Sequence, residues 1–567
     1  MKVVIIGGVA GGASAAARLR RNDENAEIII FERTGYISYA NCGEPYYIGG
    51  VIEERSKLTV QTPKGFKERF NVDVRVKSEV TSIDRAAKSV HVKNLETGEE
   101  YDESYDKLLL SPGAKAVVPD VPGVDDARIF SLRTIEDTFA ISDFVENNQP
   151  KTAAVIGGGF IGLEVAENLM ERGLKVTVLH RGAHVMKGLD EGIASVLQNR
   201  MRYVGLHLQL GVDVTGFVDK GEQLEVQMRD QKPLDVDMVV MAIGVRPESD
   251  LAVACGLETG IKGAIVVDDQ MRTNDPDIYA VGDAVQITNS VTGKPAVVPL
   301  AGPANKQGRL VADVICGKDR HYAGAQNSFV MKMADLTVAG TGLSYKAAID
   351  AGYDADFVVL MPAEHASYYP GAQALTLEVI FDKTNGRILG GQCAGFGGVE
   401  KRIDVLATAI KAKMTGEDLT ELDLTYAPPY SSAKDPVNYA GYIIQDLMEG
   451  TYEQVHWDVL DKMTDDDIML DVRPTLNYNQ DHLDNAIHIE LDQLRDRANE
   501  LPKDKKIYIH CVTGLRSYVA CRMLAQMGYD CASVAGGFNY YDAYAMDRDI
   551  AMENMGPCGL QITPGLV

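Results

Sequence analysis

The chain has 567 residues, 46% hydrophobic and 24% charged, the balance of a globular protein rather than a disordered or fibrous one, and its length calls for several domains. A formal net charge of −25 argues against sequence-independent binding to nucleic acid or an anionic membrane. No apolar run approaches the ~20 residues that cross a bilayer, and eight cysteines are too few for a disulfide scaffold. The opening MKVVIIGGVAGG has one Lys and a short apolar run, not a signal peptide, so a cytoplasmic protein in a reducing compartment is expected.

The first predicted unit begins with Val3-Val-Ile-Ile, a buried parallel strand, then Gly7-Gly8-Val9-Ala10-Gly11-Gly12 and a helix of small residues, then a second strand at 27–32. The pattern returns at Ala153-Ala-Val-Ile, followed by Gly157-x-Gly159-x-x-Gly162, a helix and a strand at 175–179. Each is the start of a βαβ nucleotide-binding unit. In the second, Gly157 allows the tight turn, Gly159 lets a pyrophosphate approach the backbone, and Gly162 permits close helix–sheet packing. In the first, Val9 stands at the middle position, and Gly8 and Gly11 restore room. Glu32, closing the second strand, is placed to accept ribose hydroxyls, and Gly282-Asp283 pairs a close-approach glycine with a second carboxylate. At the other site the acid is replaced by His180, followed by Arg181. No carboxylate there would repel a 2′-phosphate and Arg181 is suited to bind one, which leans towards NADPH without excluding NADH.

The fold class expected is α/β: a first domain split over 1–113 and 247–322, a nested second dinucleotide-binding domain at 114–246, an α+β region at 323–446 and a small α/β unit at 447–567. Two such nested folds resemble the flavin-dependent pyridine nucleotide-disulphide oxidoreductases over residues 1–446. The resemblance implies FAD at the first site, held by Gly7, Gly8, Gly12, Glu32, Arg33, Ser111, Gly282 and Asp283. It implies NAD(P)H at the second, held by Gly157, Gly159, Gly162, His180 and Arg181.

Shortly after Glu32 comes Tyr39-Ala-Asn-Cys42-Gly-Glu-Pro-Tyr-Tyr47. Dithiol members of the family carry Cys-x-x-x-x-Cys in this region; here the second place is Tyr47. A single thiolate cycles through a sulfenic acid, a mixed disulfide or a persulfide. Peroxidases and oxidases of the single-cysteine group carry a His in the first glycine turn, where this chain has Ala10, so the coenzyme A disulfide reductase branch is the nearer resemblance. It implies coenzyme contacts at Ser14, Arg18, Arg21, Ser38 and Asn41, and more loosely at Asn305, Lys306 and Lys434. Arg18 and Arg21 stand at i, i+3 on one helical face, as phosphate-binding cations would. In that family the third domain forms a homodimer, and Tyr368 and Tyr426 resemble the two tyrosines that reach the cysteine of the other chain. A phenol there can protonate a departing thiolate.

The last unit, with Met469-Leu-Asp-Val-Arg473 and the loop Cys511-x-x-Gly-x-Arg516, resembles a single rhodanese domain. A sulfur between a strand and a helix N-terminus, with Arg516 nearby, is set up for thiolate and persulfide chemistry. Cys521 and Cys531 read as core; Cys255, Cys316, Cys393 and Cys558 have no supporting motif, and no Cys/His spacing argues for a metal. The whole resembles a coenzyme A disulfide reductase–rhodanese fusion, close to the NAD(P)H-dependent persulfide reductases. That implies reduction of coenzyme A persulfide, polysulfide or coenzyme A disulfide at Cys42, with Cys511 handling sulfane sulfur and bound coenzyme A carrying it as a swinging thiol. Coenzyme A disulfide reduction proper is the alternative, an NADH oxidase or peroxidase a weaker one, and a non-catalytic redox sensor a different class.

Overall fold

The structure, a computed structural model, describes residues 1–553 and their side chains as far as 547; Cys558 lies outside them. Two compact units are present, Met1–Ala183 with Leu206–Asn327, and His184–Gly205 with the described residues from Ser328 onward.

The first unit holds two five-stranded parallel sheets. One runs in the spatial order Ile278–Ala280, Lys107–Leu110, Lys2–Ile6, Glu27–Phe31, Asp73–Arg75. Val3, Val4 and Ile5 are fully buried, as a strand covered on both faces requires. The other runs His207–Leu210, Lys175–His180, Thr152–Ile156, Met238–Met241, Ile129–Ser131. The strands Ala114–Ala116 and Val245–Pro247, which bracket this second sheet in the sequence, pair antiparallel with each other. The chain therefore leaves and rejoins the first domain at one place.

The helix Ala10–Asn22 packs along Ala301–Ile315 at backbone distance: a Cβ on Gly308 would stand 2.4 Å from the Gly11 carbonyl oxygen. The other end of the first helix is pinned by Arg20, buried, which donates to the carbonyls of Phe70, Asp23, Glu24, Ala26 and Asn71. A buried guanidinium is tolerated there because its donors are satisfied.

In the second unit a five-stranded antiparallel sheet runs Phe329–Met333, Leu336–Gly342, Ile388–Gly395, Leu375–Asp382, Ala355–Leu360. Fully buried Arg402 ties its surroundings together, donating to the carbonyls of Gly398 and Glu364 and to Ser431 Oγ, and pairing with Asp435 at 3.2 Å. Asp435 in turn caps the helix Pro436–Met448. A five-stranded parallel sheet follows, in the order Gln454–Val455, Cys531–Val534, Lys506–His510, Asp467–Asp471, Ile487–His488. The helix Glu191–Tyr203 docks on Gly537–Glu553 through Asp547, which accepts from Ser195, Gln198 and Arg202. The fold class is therefore α/β with two nested dinucleotide-type sheets, an α+β domain and a parallel α/β domain. Among the described residues no helix is long and apolar enough to cross a membrane.

His510 lies fully buried at the end of its strand, 3.7 Å from Asp471, which a buried two-donor contact with Arg473 already occupies. Desolvation pushes the imidazole down to about 4, so it is neutral in the fold. Between pH 6.5 and about 4 the unfolded chain takes up a proton that the folded domain refuses, so stability falls as the pH drops through that window. This group accounts for on the order of 3 kcal/mol of the loss. The single tryptophan, Trp457, has its ring 5.7 Å from that of His510 and reports on this domain. Unfolding followed by Trp457 fluorescence should be less pH-dependent between 7 and 5 in His510→Gln than in the parent, and identical slopes would show that the imidazole is not buried neutral.

Candidate functional site

The first glycine turn is closed by backbone contact. A Cβ on Gly7 would stand 2.1 Å from the Ser111 carbonyl oxygen, and one on Gly12 would stand 1.9 Å from that of Gly7. The N-terminus of the helix Ala10–Asn22 is thereby set against the strand end. Glu32 is buried, and its carboxylate accepts from the backbone N–H of Gly8 and of Thr34, both at 2.9 Å. Such a carboxylate keeps lone pairs for further donors. Ser111 continues the neighbouring strand, its N–H bonded to the Ile6 carbonyl at 2.8 Å. Gly282 and Asp283 form a short 3₁₀ turn; Asp283 does not cap a helix but accepts from Arg133 Nη2 at 3.1 Å, and burial raises its carboxyl. Arg33 is engaged with Glu248 through two hydrogen bonds of 2.9 and 2.8 Å.

The second turn repeats the first. Cβ atoms on Gly157 and Gly162 would stand 2.2 Å from the Ala242 oxygen and 2.0 Å from the Gly157 oxygen, whereas Gly159 faces open space. His180 Nδ1 accepts from the Gly158 N–H at 3.1 Å, the position that Glu32 holds against Gly8 in the first site. Arg181 is exposed. Both cradles fit a dinucleotide. Their helix N-termini face the space beyond the strand ends, the turns exclude side chains, and the first adds two carboxylates for hydroxyls.

Cys42 sits in the single 3₁₀ turn Asn41–Gly43, just before the helix Glu44–Ile48, and is exposed. The turn is held by the Ala40 N–H on the Leu58 carbonyl and the Gly43 N–H on that of Ala40, each 2.8 Å. Desolvation first, then the carboxylates of Glu164, Glu44 and Asp283, push the thiol above its ordinary value. Burial also pushes Glu164 up to about 7 and Glu44 up to about 8. Tyr47 occupies the place of a second sulfur and is buried edge-on to Phe139, ring centres 5.7 Å apart. Among the described residues all seven cysteines are free.

Of the positions expected to meet coenzyme A, Ser14 and Asn305 come together, the Ser14 hydroxyl donating to Asn305 Oδ1 at 2.6 Å. The Gly11–Gly308 helix approach makes this contact. Arg18 and Arg21 do not form one cationic pair. Arg18 binds Asp313 at 2.8 and 3.1 Å and holds that carboxyl well below its usual range, while Arg21 lies over the Phe70 ring at 5.4 Å. Ser38 adopts a left-handed φ of 47°, its N–H bonded to the Gly8 carbonyl at 2.8 Å, and leads to Asn41. Lys306 is exposed on the helix of Asn305. In the second unit Lys434 is exposed immediately before Asp435. Tyr368 and Tyr426, both exposed, share a hydrogen bond of 2.7 Å that raises the Tyr368 phenol.

Cys511 follows its strand and precedes the helix Leu515–Gln526; it is buried, and its sulfur accepts from the Gly514 N–H at 3.2 Å. The loop is held from the other side by the Phe538 N–H on the Cys511 carbonyl at 2.7 Å and the Asn539 N–H on that of Val512 at 3.0 Å. Arg516 is exposed on the first turn of the helix.

Sequence reasoning missed Glu44 and Glu164 beside Cys42, and Arg133, the partner of Asp283. Glu44 stands only two places from Cys42, and an acid next to a redox cysteine was a visible signal; the other two come from distant segments. No group of three or more His, Cys, Asp or Glu side chains able to hold a metal occurs among the described residues.

The pyridine nucleotide-disulphide oxidoreductase pattern matches residues 1–308, that family's dimerisation domain matches 329–436, and a rhodanese-like domain matches 456–544. The coenzyme A disulfide reductase of Staphylococcus haemolyticus is 37% identical over 447 residues, which is 79% of this chain and 100% of that protein. Reduced CoADR-RHD of Bacillus anthracis superposes with a TM-score of 0.94 at 46% identity, covering 96% of this chain and 98% of that one. A NAD-dependent persulfide reductase from A. fulgidus superposes with a TM-score of 0.90 at 36% identity, covering 95% and 100%. FAD and NAD(P)H are the cofactors of the family, and the two glycine cradles are where its nucleotides fit. The chain belongs to the pyridine nucleotide-disulphide oxidoreductases and is an oxidoreductase of that family with a rhodanese-like domain over residues 456–544.

Proposed function

We propose that this protein is an FAD-dependent NAD(P)H oxidoreductase that reduces coenzyme A persulfide or polysulfide, and coenzyme A disulfide, at Cys42, releasing hydrogen sulfide or thiol. The observation that carries the reading is a lone exposed thiol on a rigid turn next to the first cradle, with an aromatic ring where a second sulfur would stand. A thiolate without a resolving partner takes its second sulfur from the substrate. Attack of the Cys42 thiolate on the inner sulfur of a coenzyme A persulfide forms a Cys42–coenzyme A disulfide and expels hydrosulfide. Attack on coenzyme A disulfide forms the same species and expels coenzyme A thiolate.

The first cradle, with Gly7, Gly8, Gly12, Glu32, Ser111, Gly282 and Asp283, is the fitting place for FAD, and the second, with Gly157, Gly159, Gly162 and His180, for NAD(P)H. When bound, these groups supply the electron pair that reopens the mixed disulfide. Around Cys42, Glu164 near 7 and Glu44 near 8 are carboxyls able to hold a proton at neutral pH. Asn41, Ser38, Ser14 and Asn305 offer polar groups to a coenzyme; Arg21, Lys306 and Lys434 offer cations that no described carboxylate engages. Arg18 serves only if a phosphate displaces Asp313.

The protein acts as a homodimer in which Tyr368 of the partner subunit and Tyr426 of the partner subunit protonate the departing thiolate. Cys511, with an N–H donor on its sulfur, takes sulfane sulfur and passes it on as a persulfide. Similarity to both a coenzyme A disulfide reductase and a persulfide reductase also supports coenzyme A disulfide reduction proper; comparing turnover on the two substrates decides between them. The domain limits 1–113, 114–246, 247–322, 323–446 and 447–567 belong to this proposal, as does a cytoplasmic location.

Cys42→Ser should retain FAD yet lose NAD(P)H oxidation driven by either substrate; full turnover in that variant refutes the route. Cys511→Ser should slow turnover on polysulfide at least about tenfold more than turnover on coenzyme A disulfide, and equal losses would remove the relay (tenfold corresponds to ~1.4 kcal/mol). Arg181→Ala should raise the KM for NADPH by about tenfold or more, the worth of a hydrogen bond to a charged group, and leave that for NADH unchanged. Parallel changes for both nucleotides would remove Arg181 from 2′-phosphate recognition.

A further inference from the structure

Cys521 lies on the helix Leu515–Gln526 and Cys531 opens the strand Cys531–Val534. Their sulfurs stand 3.8 Å apart, both buried, and each sulfur also lies against the other residue's carbonyl, at 3.6 and 3.4 Å. Those cross-contacts bring the two backbones close, as a disulfide requires. This van der Waals contact of two free thiols involves neither Cys42 nor Cys511.

We infer that Cys521 and Cys531 are a second redox site, a dithiol that closes to a disulfide by reducing a small inorganic polysulfide. The donor is small because both thiols are buried. With hydrogen disulfide the steps balance. The Cys531 thiolate attacks one sulfur, giving a Cys531 persulfide and hydrosulfide. Cys521 then attacks the Cys531 sulfur, the Cys521–Cys531 bond forms, and the outer sulfur leaves as hydrogen sulfide with the proton of Cys521. Two thiols lose two electrons and one sulfur–sulfur bond of the donor is reduced. The contact with the Cys521 sulfur lowers the Cys531 thiol against its desolvation, and the Lys506 ammonium lowers it against Asp530 and Glu453, which favours Cys531 as the attacking member.

The bond would join the two segments that flank the Cys511 loop. The helix is preceded by Gly514, whose N–H meets the Cys511 sulfur, and the chain after the strand leads through Gly536–Gly537 to the Phe538 N–H on the Cys511 carbonyl. Ser533 and Ser517 already bridge the same helix and strand at 3.0 Å.

The test uses the full-length, FAD-loaded, reduced protein without NAD(P)H, in the Cys42→Ser, Cys511→Ser background. That protein is unable to turn over substrate by the proposed route, so this inference and that function fail separately. After brief exposure to sodium disulfide, denaturation in N-ethylmaleimide and peptide mapping, the Cys521 and Cys531 peptides should appear joined and unalkylated, and dithiothreitol should return both to the alkylated pool. The parent protein should give the same joined peptides, which keeps the result independent of how any variant folds. Cys531→Ala should leave Cys521 alkylated. Full alkylation of both cysteines after exposure, or joining of either one to another cysteine, overturns the inference.

Discussion

A Cβ on Gly12 would lie 1.9 Å from the Gly7 carbonyl oxygen, and one on Gly162 would lie 2.0 Å from that of Gly157. No side chain fits at either place, and no rotamer relieves a clash with backbone. This contact fixes where each helix begins relative to its strand, and so aims each helix N-terminus at the space beyond the sheet. At the first site more follows from it. The Gly8 carbonyl receives the Ser38 N–H, and the chain from Ser38 leads directly to the Asn41–Gly43 turn that carries Cys42. The Gly11–Gly308 approach brings Ser14 to Asn305. The nucleotide cradle, the Cys42 turn and the Ser14–Asn305 helix contact are thus referred to one glycine turn.

What the sequence made legible was local. Strand–glycine–helix order at Val3–Gly12 and Ala153–Gly162, the absence of a second sulfur at Tyr47, and the strand–loop–helix setting of Cys511 are all written within a few consecutive residues, and periodicity reads them. The surroundings of those residues were not legible, because they come from elsewhere in the chain. Asp313, which occupies Arg18, is 295 positions away, and Arg133, which holds Asp283, is 150 away. Arg18 and Arg21 share a helical face, yet one side chain ends on Asp313 and the other over the Phe70 ring. Helical spacing fixes where two side chains start, while long flexible side chains end where a partner holds them. His510 shows the same limit: nothing in Ile507-Tyr-Ile-His reveals that the imidazole is sealed behind Asp471 and Arg473.

Cys42 and Cys511 sit in different surroundings. Cys42 is exposed, and partial desolvation first, then Glu164, Glu44 and Asp283, oppose its ionisation. Cys511 is sealed, but an N–H dipole points at its sulfur. A thiol that resists ionisation is a poor leaving group and a strong nucleophile once its proton is gone. The carboxyls around Cys42 complete the division. Pushed to about 7 and about 8, Glu164 and Glu44 are themselves protonated over much of the neutral range, so the penalty they place on the thiolate grows as the pH rises.

Glu32 and His180 occupy equivalent places and make equivalent contacts, each accepting the N–H of the second residue of its glycine turn. The structural part of the role therefore survives the exchange of a carboxylate for an imidazole, and what changes is charge. Arg181 is exposed beside His180. The turn at the second site is thus built like the first, with an imidazole where the first has a carboxylate.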